Sequence, residues 1–353
     1  PVVSVHSFAA STLGFLFLGF MIVMTSYSLF TIIYKYKNIK ESKNKIESYL
    51  SRESSFLLNN VLLVLTSLII LWGVLFPVVS ILFTGTEISV SAPYFNKTAG
   101  PILLAIILLM GIGPILSWRK TSFKATISRI LPSIILTLIF FIYLIIIGIN
   151  KFFPIISLCS IFFVLTIIFK EWIGGTRSRM TNSMNPLTAF IKTIISNRGR
   201  NGGYIVHLAI LALAFGVVGT KFYDQRVDTN ISISEEIAFK NYNIYFENID
   251  QELTNGNSVT KAKFSIYDEH KKFIGKIEAM HSYYPNYNQI SVRSGILSNP
   301  IEDLYIIPKD FIDETNMTVR IAVNPLAWWI WASGPILLIG TVITLWPSRQ
   351  RKD

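Results

Sequence analysis

The chain has 353 residues, of which 51% are apolar and only 15% are charged, whereas charged residues make up about a quarter of an average soluble protein. This composition excludes an ordinary water-soluble domain and indicates a protein embedded in a bilayer. The formal net charge of +11 would favour nucleic-acid binding only if the basic residues clustered on a soluble surface. The single cysteine, Cys159, excludes a disulfide framework, a CxxC redox pair and a cysteine metal cluster within this chain.

Seven stretches are apolar and long enough to cross a hydrocarbon core of about 30 Å, which takes about 20 helical residues. In chain order they are Leu13–Tyr36, Phe56–Phe83, Gly100–Ser117, Ile130–Ile149, Pro154–Phe169, Gly203–Thr220 and Leu326–Trp346. Six of them form a predicted transmembrane bundle within residues 1–221, and the seventh, with a basic tail, occupies residues 326–353. The sequence therefore predicts an α-helical polytopic membrane protein with about seven transmembrane helices.

Lysine and arginine are distributed unequally between the two predicted membrane faces. One face, formed by residues 35–53, 119–129, 170–200 and 349–353, receives nineteen basic residues and five acids, and the other receives thirteen basic and sixteen acidic residues. Because cytoplasmic loops are enriched in Lys and Arg, the basic face is predicted to be cytoplasmic. This asymmetry accounts for the whole net charge, so we expect no nucleic-acid partner and a location in the cytoplasmic (inner) membrane.

A long polar segment, residues 222–325, separates the last two predicted helices on the outer, extracytoplasmic side. Apolar and polar residues alternate in 242–246, 263–267 and 273–277, and turn-forming residues lie between them at 255–257 and 268–272. A period of two residues is typical of half-buried strands. The segment is predicted to form one small β-domain.

Among the four histidines, His207 is the most informative because an ionisable side chain within a spanning segment is costly and usually faces the bundle interior. It lies about four residues, or about 6 Å, into the predicted sixth helix. One interpretation is a neutral histidine that is hydrogen-bonded to a neighbouring helix. The other is an axial metal ligand, most naturally to haem, because imidazole ligates iron strongly and a porphyrin needs an apolar cleft.

His6 precedes the first span and is predicted to lie at the outer membrane interface. His6 and His207 would then be near opposite faces, about 30 Å apart, so they cannot bind one metal. Two separate sites are required, each with a second ligand from outside this chain or, for His6, from the outer domain. His270 and His281 are interpreted as structural residues of a turn and a strand end.

Other suggestive residues have structural explanations. Tryptophans 328, 329 and 331 stand where the last helix enters the outer leaflet, as in an aromatic belt. Arg52 and Glu53 can pair locally or can contact a quinone or a partner. The sequence contains no Walker, G-x-S-x-G, H-E-x-x-H or G-x-G-x-x-G motif in a suitable context, so a nucleotide-driven pump, a hydrolase and a dehydrogenase lack support.

Four motifs follow one another along the chain: SVHSFA at 4–9, SRESSFLLNN at 51–60, PYFN at 93–96 and MGIGPILSWR at 110–119. In this order and spacing they resemble the second half of CcmF-type cytochrome c biogenesis proteins. The resemblance extends over nearly the whole chain. It includes a histidine after a glycine on a late helix, here His207, an outer β-domain with Asp303-Leu304-Tyr305, and a last helix with a short basic tail.

The resemblance implies a haem lyase subunit. Such a protein positions haem from a membrane-tethered haem chaperone for thioether attachment to the CxxCH cysteines of apocytochrome c, outside the cytoplasmic membrane. By the same resemblance, His6 matches an outer haem ligand, and His207 matches an axial ligand of a transmembrane b-type haem that quinol reduces. The partners implied are the haem chaperone, apocytochrome c with its thiol-reducing chaperones, and quinol.

The family's tryptophan-rich haem-handling loop belongs to the other half of these proteins and has no counterpart here. Each two-histidine site would therefore be half built, and we expect a longer polypeptide or a split gene, consistent with a chain that begins at Pro1 rather than Met. Two other classes remain open: a haem transporter, although the chain lacks the inverted repeats typical of transporters, and a non-catalytic scaffold of the maturation complex. A paralogue dedicated to a multihaem nitrite reductase is also open.

Overall fold

The computed structural model describes residues 14–37, 46–86, 88–180, 184–254, 256–285, 289–313 and 315–347. His6 and the basic tail at 349–352 lie outside these residues. The chain divides into two compact units, one up to Leu131 and one from Pro132 onward. Each unit is described by itself.

The first unit consists of long apolar helices. They are α1 (Gly14–Tyr34), α2 (Arg52–Thr84), α3 (Ala92–Ile112) and the beginning of α4 (Phe123–Ile146), with a 3-10 turn at Gly113–Ile115. Ser51 caps α2, where its side chain accepts a hydrogen bond from the backbone N–H of Ser54, which satisfies one of the free donors of the first turn.

The third helix differs from its predicted bounds. The hydropathy pattern places its start at Gly100, whereas α3 begins at Ala92 with Pro93 in its first turn. Proline is favoured there because its fixed φ suits the helix and its missing N–H has no intrahelical partner to lose. The PYFN motif therefore lies in the first turns of α3 rather than before the helix.

The second unit contains the end of α4 and four further helices. They are α5 (Phe152–Arg177), α6 (Pro186–Ser196), α7 (Arg198–Phe222) and α8 (Ala327–Leu345). The short helix α6 was not predicted, because its eleven residues lie in a connection that the hydropathy pattern assigns to the cytoplasmic face. Asn185 caps it by accepting a hydrogen bond from the backbone N–H of Leu187.

Six helices of the described chain are long and apolar enough to cross a membrane. They correspond to the second to seventh predicted spans. The first predicted span is helical as α1, although its described apolar part, Gly19–Tyr34, is shorter than a full span. The prediction of a polytopic helical membrane protein with a β-domain between its last two helices is thus confirmed.

Helices α7 and α8 pack closely along their length through small residues. A Cβ atom on Gly219 would lie 2.3 Å from the carbonyl oxygen of Pro325, and one on Gly340 would lie 2.7 Å from the backbone nitrogen of Val206. Only glycine permits backbones to approach this closely, which is a common way of associating helices in membranes. The two helices that flank the β-domain therefore form a tightly packed pair.

Residues 225–325 form an antiparallel sandwich of two sheets. One sheet has the strand order β1-β9-β8-β7 and the other β2-β3-β4-β5-β6. The strands are β1 (Gln225–Ser232), β2 (Glu236–Phe239), β3 (Tyr242–Thr254), β4 (Asn257–Asp268), β5 (Phe273–Tyr284), β6 (Gln289–Arg293), β7 (Gly295–Ser298), β8 (Glu302–Phe311) and β9 (Asn316–Pro325). The three segments predicted as strands lie in β3, β4 and β5, and those predictions are confirmed.

The sandwich joins the helix pair through very short connections. Two residues separate α7 from β1, and only Leu326 separates β9 from α8. The backbone N–H of Leu326 donates to the carbonyl of Ile301 at 2.8 Å, and Trp329 Nε1 donates to the carbonyl of Pro300 at 3.1 Å. These bonds fasten the loop before β8 to the start of α8.

Candidate functional site around His207

His207 lies deeper in its helix than predicted. Because α7 begins at Arg198 rather than at Gly203, the histidine is nine residues, or about 14 Å along the axis, from the first residue of the helix. The hydropathy pattern missed this first part because Arg198 and Arg200 interrupt the apolar run. Asn197 caps the helix and accepts a hydrogen bond from the backbone N–H of Arg200.

The imidazole of His207 is half-buried and has an unsatisfied nitrogen. Its Nδ1 atom is buried and has no hydrogen-bond partner among the described residues. Buried polar atoms nearly always have a partner, so a purely structural histidine would be expected to find one on a neighbouring helix. The described residues supply no such bond to Nδ1.

The face of α7 that carries His207 is apolar and has open space on one side of the histidine. Gly203, Ile210 and Ala214 lie four residues before, and three and seven residues after, the histidine, so they share its face of the helix. A Cβ atom on Gly203 would meet nothing within 4 Å. The imidazole therefore stands between an uncrowded glycine on one side and apolar side chains on the other.

Tyr204 packs beside the imidazole and is itself held in place. The rings of Tyr204 and His207 meet edge to face, with centroids 6.4 Å apart. Arg200 Nε donates to the Tyr204 hydroxyl oxygen at 3.2 Å, and the guanidinium of Arg200 also pairs with Glu171 on α5. One side of the histidine thus contacts the Tyr204 ring, which is held in place by Arg200 and its ion pair with Glu171.

A second set of contacts joins α5, α6 and α7 near the same end of the unit. Trp172 Nε1 donates to Asn201 Oδ1 at 3.1 Å, and Asn201 Nδ2 donates to the carbonyl of Thr193 at 2.8 Å. Both Trp172 and Asn201 are buried. A satisfied buried polar network of this kind fixes the relative positions of the helices that carry it.

Chemically, the site offers one strong iron ligand. The described residues contain no group of three or more His, Cys, Asp or Glu side chains that could hold a metal ion. A haem requires only one or two axial ligands from the protein, together with apolar walls for the porphyrin. The imidazole of His207, whose Nδ1 has no partner among the described residues, and the apolar residues of its face fit that requirement for one ligand.

His270 and His281 lie on the β-sandwich, apart from this site. His270 is exposed in the turn between β4 and β5, where its backbone N–H donates to Asp268 Oδ1. His281 lies on β5, and its ring contacts Phe311 edge to face at 5.6 Å. His6 lies outside the described residues. The ligand roles of His6 and His207 stay predictions.

Two of the recognised motifs meet in the first unit. Arg52 Nη2 donates to the carbonyl of Pro114 at 2.7 Å, and the backbone N–H of Arg52 donates to the carbonyl of Ser117 at 2.9 Å. The arginine thus joins the start of α2 to the turn after α3, rather than serving simply as a local partner of Glu53. Motifs 51–60 and 110–119 are adjacent in space because of these bonds.

The fold and the site together define a polytopic helical membrane protein with a β-sandwich joined to its last helix pair and a histidine within a spanning helix. No family model matches the chain. It is 24% identical over 351 residues to the cytochrome c-type biogenesis protein CcmF of Haemophilus influenzae, which covers 99% of this chain and 53% of that protein. The identity to CcmF of Escherichia coli is also 24%, and that match covers 99% of this chain and 52% of that protein.

Another similar protein is the cytochrome c-type biogenesis protein NrfE of Haemophilus influenzae, at 22% identity. A solved structure of the cytochrome c heme lyase CcmF has the same fold, with a TM-score of 0.66, 20% identity and 85% of this chain covered. The chain spans about half the length of the curated relatives it matches. The resemblance to CcmF-type proteins is confirmed.

Proposed function

We propose that this chain is the haem-handling membrane part of a haem lyase, which attaches haem to the CxxCH cysteines of apocytochrome c. Similarity to CcmF-type proteins along 99% of the chain supports this proposal. The observation that carries it is the orphaned, half-buried imidazole of His207 on a membrane-spanning helix. An imidazole in that position is costly without a functional partner.

In this proposal the imidazole of His207 would hold a b-type haem between helices, together with a ligand from a polypeptide region outside this chain. When bound, that haem provides one-electron chemistry, with quinol as the reductant. The protein contributes position: α7 holds the imidazole, the Tyr204 ring limits its rotation, and Gly203 leaves space beside it for a flat ligand. His6 is the proposed outer ligand of the haem that undergoes attachment.

Thioether formation needs reduced haem, free thiols and correct orientation rather than a nucleophilic side chain. Catalysis would therefore come from positioning, with the β-sandwich as the docking surface for a haem chaperone or for apocytochrome c and its thiol-reducing chaperones. Within the described residues no carboxylate pairs with Nδ1 of His207, which agrees with a site that binds and orients rather than one that performs acid–base chemistry.

We also propose that the β-sandwich lies on the extracytoplasmic side of the inner membrane. Within the second unit, the sandwich joins the C-terminus of α7 and the N-terminus of α8. The opposite end of α7 begins with Arg198 and Arg200, and Nη1 of Arg198 donates to the carbonyl of Pro347, just beyond the end of α8. The positive-inside rule then assigns the sandwich to the outer side.

The test is the absorption spectrum of the intact assembly, purified with whatever chain supplies the other half. A low-spin haem spectrum is expected for the unmodified protein, and His207→Ala should abolish most of it. His270→Ala is the matched control, because it removes an exposed turn histidine whose side chain is 83% accessible. His6→Ala should stop holocytochrome formation and leave the membrane haem spectrum largely intact.

The outcomes separate the alternatives. A spectrum unchanged by His207→Ala would exclude the ligand role. Holocytochrome formation that tolerates loss of both His6 and His207 would favour a scaffold, whereas haem movement across vesicles without attachment would favour a transporter.

A further inference from the structure

A groove lies between the C-terminal turns of α5 and the short helix α6. Its volume is about 350 Å³. The rings of Trp172 and Phe190 meet edge to face across it, 5.7 Å apart, and Phe169 packs in the same way against Trp172 at 6.1 Å. Most of the lining is apolar: Phe169, Trp172, Ile173, Met180 and Phe190, with Thr176 and Arg177 as the polar members.

The groove is about the right size and shape for a hydrocarbon chain. A cavity of several hundred cubic ångströms with aromatic and aliphatic walls normally binds an apolar ligand and orients it through a few polar groups. The side chains of Phe169, Ile173 and Met180 remain about half exposed. Their exposure leaves the groove open along its length.

The segment that forms the groove is basic, and one of its arginines lines the groove. Between residues 170 and 200 the chain has six basic residues and one acid, and that acid, Glu171, pairs with Arg200. Arg179 donates to the carbonyl of Gly175 and to Ser196 Oγ, so it braces α5 against the end of α6. Arg177 is exposed and lines the groove directly, which complements an anionic group.

Thr176 also belongs to the lining of the groove. Its hydroxyl oxygen is fully buried and has no hydrogen-bond partner within the described part of the chain, so it lies behind the wall of the groove and does not reach a ligand in it. The exposed side chain of Arg177 is therefore the polar member of the lining that can meet the charged end of a ligand.

Helix α6 indicates the depth at which the groove lies. Leu187, Ile191 and Ile195 form an exposed apolar stripe on one side, whereas Ala189 and Thr193 are buried on another. This arrangement is typical of a helix that lies in the membrane interface with its apolar side toward acyl chains. The groove therefore opens where acyl chains meet headgroups.

We propose that the groove binds an anionic phospholipid. One acyl chain lies along Trp172, Ile173 and Phe190, and the phosphate accepts hydrogen bonds from the exposed guanidinium of Arg177 at the edge of the groove. Basic pockets beside transmembrane helices are recognised sites for acidic headgroups. The site needs neither haem nor a partner chain, so it stands independently of the proposed lyase function.

The test compares lipids retained by the intact assembly after reconstitution in nanodiscs with equal amounts of phosphatidylglycerol and phosphatidylcholine. Native mass spectrometry of the released protein should show preferential retention of phosphatidylglycerol. Arg177→Gln should reduce that preference by about fivefold or more, since it removes a charge-assisted hydrogen bond. Arg293→Gln, an exposed arginine on β6 of the sandwich, is the matched control and should change nothing.

Two further variants keep the proposal falsifiable if Arg177→Gln does not fold. Arg177→Lys keeps the positive charge, so it should retain most of the preference. Ile173→Trp should fill the groove and remove retained lipid of both kinds. Equal retention of the two lipids by the unmodified protein, or a preference that survives Ile173→Trp, would overturn the proposal. The haem spectrum should be the same in all these variants.

Discussion

The β-sandwich buries its apolar side chains within itself, whereas the helices of the second unit leave many of theirs exposed. In the sandwich, the rings of Phe246 and Phe264 stack at 4.8 Å and have no accessible surface. On α4, by contrast, Ile139 and Ile142 are each more than half exposed. A domain in water must cover its own apolar face, whereas helices in a bilayer can leave large side chains to lipid or to another polypeptide.

Polar groups show the same contrast. On the sandwich, Asp228 on β1 accepts hydrogen bonds from Arg320 on β9 and Lys309 on β8 of the same sheet, and other carboxylates pair with lysines within the second sheet. In the helices, the Nδ1 atom of His207 and the Thr176 hydroxyl lack partners among the described residues. The sandwich pairs these surface charges, although Asn248 Oδ1 on β3 is also buried without a partner among the described residues. In the helical part, the imidazole of His207 is where we propose a ligand.

The largest effect is expected when a buried side chain is removed from the core of the sandwich. Phe264→Ala should lower the free energy of unfolding of the β-domain by about 3–5 kcal/mol, because it removes a fully buried ring and leaves a cavity. Unfolding of the purified protein, followed by tyrosine and tryptophan fluorescence in denaturant, measures this change. Phe273→Ala is the control, since that ring is 51% exposed. Similar losses in both variants would show that the core is not the main source of stability.

A smaller effect is expected from the helix pair. Gly340→Ala should destabilise the packing of α7 and α8 by about 1–3 kcal/mol, because the added methyl group would overlap the backbone of Val206. Thermal unfolding in detergent measures the loss. Gly334→Ala on the same helix meets nothing within 4 Å and should be neutral. If both substitutions were neutral, close approach of the backbones would not matter for assembly.

The smallest effect is expected on the sandwich surface. Hydrogen bonds from Arg320 and Lys309 hold the pKa of Asp228 well below its usual range. A carboxyl group with a lowered pKa stabilises the fold above its unfolded pKa of about 4, and that contribution is lost as the pH falls through its folded pKa. Asp228→Asn should therefore weaken the β-domain slightly at neutral pH and reduce its further loss of stability below about pH 4.

An acid titration of unfolding for the unmodified protein and Asp228→Asn measures this difference. Asp313 contributes to the loss of stability in the same pH range, because hydrogen bonds from Asn316 and Thr315 lower its pKa to about 2. Glu269→Gln, in the exposed turn between β4 and β5, is the control. Identical acid profiles for the unmodified protein and Asp228→Asn would show that the ion pair contributes nothing measurable.

Long elements with a strong pattern could be predicted from sequence. In lipid, a long apolar run can pair all its backbone polar groups only as a helix. Six of the seven predicted spans are such helices among the described residues. The alternation of apolar and polar residues identified β3, β4 and β5. Helix α6 was missed because eleven residues with Lys192 among them do not resemble a span. Its signals were nevertheless present in the cap at Asn185, the proline that follows it and the apolar residues at 187, 191 and 195.

The pairing of distant segments could not be predicted. Gln225 pairs with Val323, and no local pattern indicates that β1 and β9 are neighbours or that the nine strands divide into two sheets. The same holds for the contact of Arg52 with Pro114. Register depends on which faces are buried together, and that depends on the whole chain.

The sequence alone determined that this protein lies in a membrane, that His207 is an unusual side chain within it, and that CcmF-type proteins are its relatives, because hydropathy, charge and motifs are local properties. Only the tertiary structure decided that the imidazole has an Nδ1 atom with no partner among the described residues and lies beside Tyr204, and that α5 and α6 enclose an apolar groove with Arg177 at its edge. Burial and pairing are relations between residues distant in the chain, so they exist only once the helices have packed.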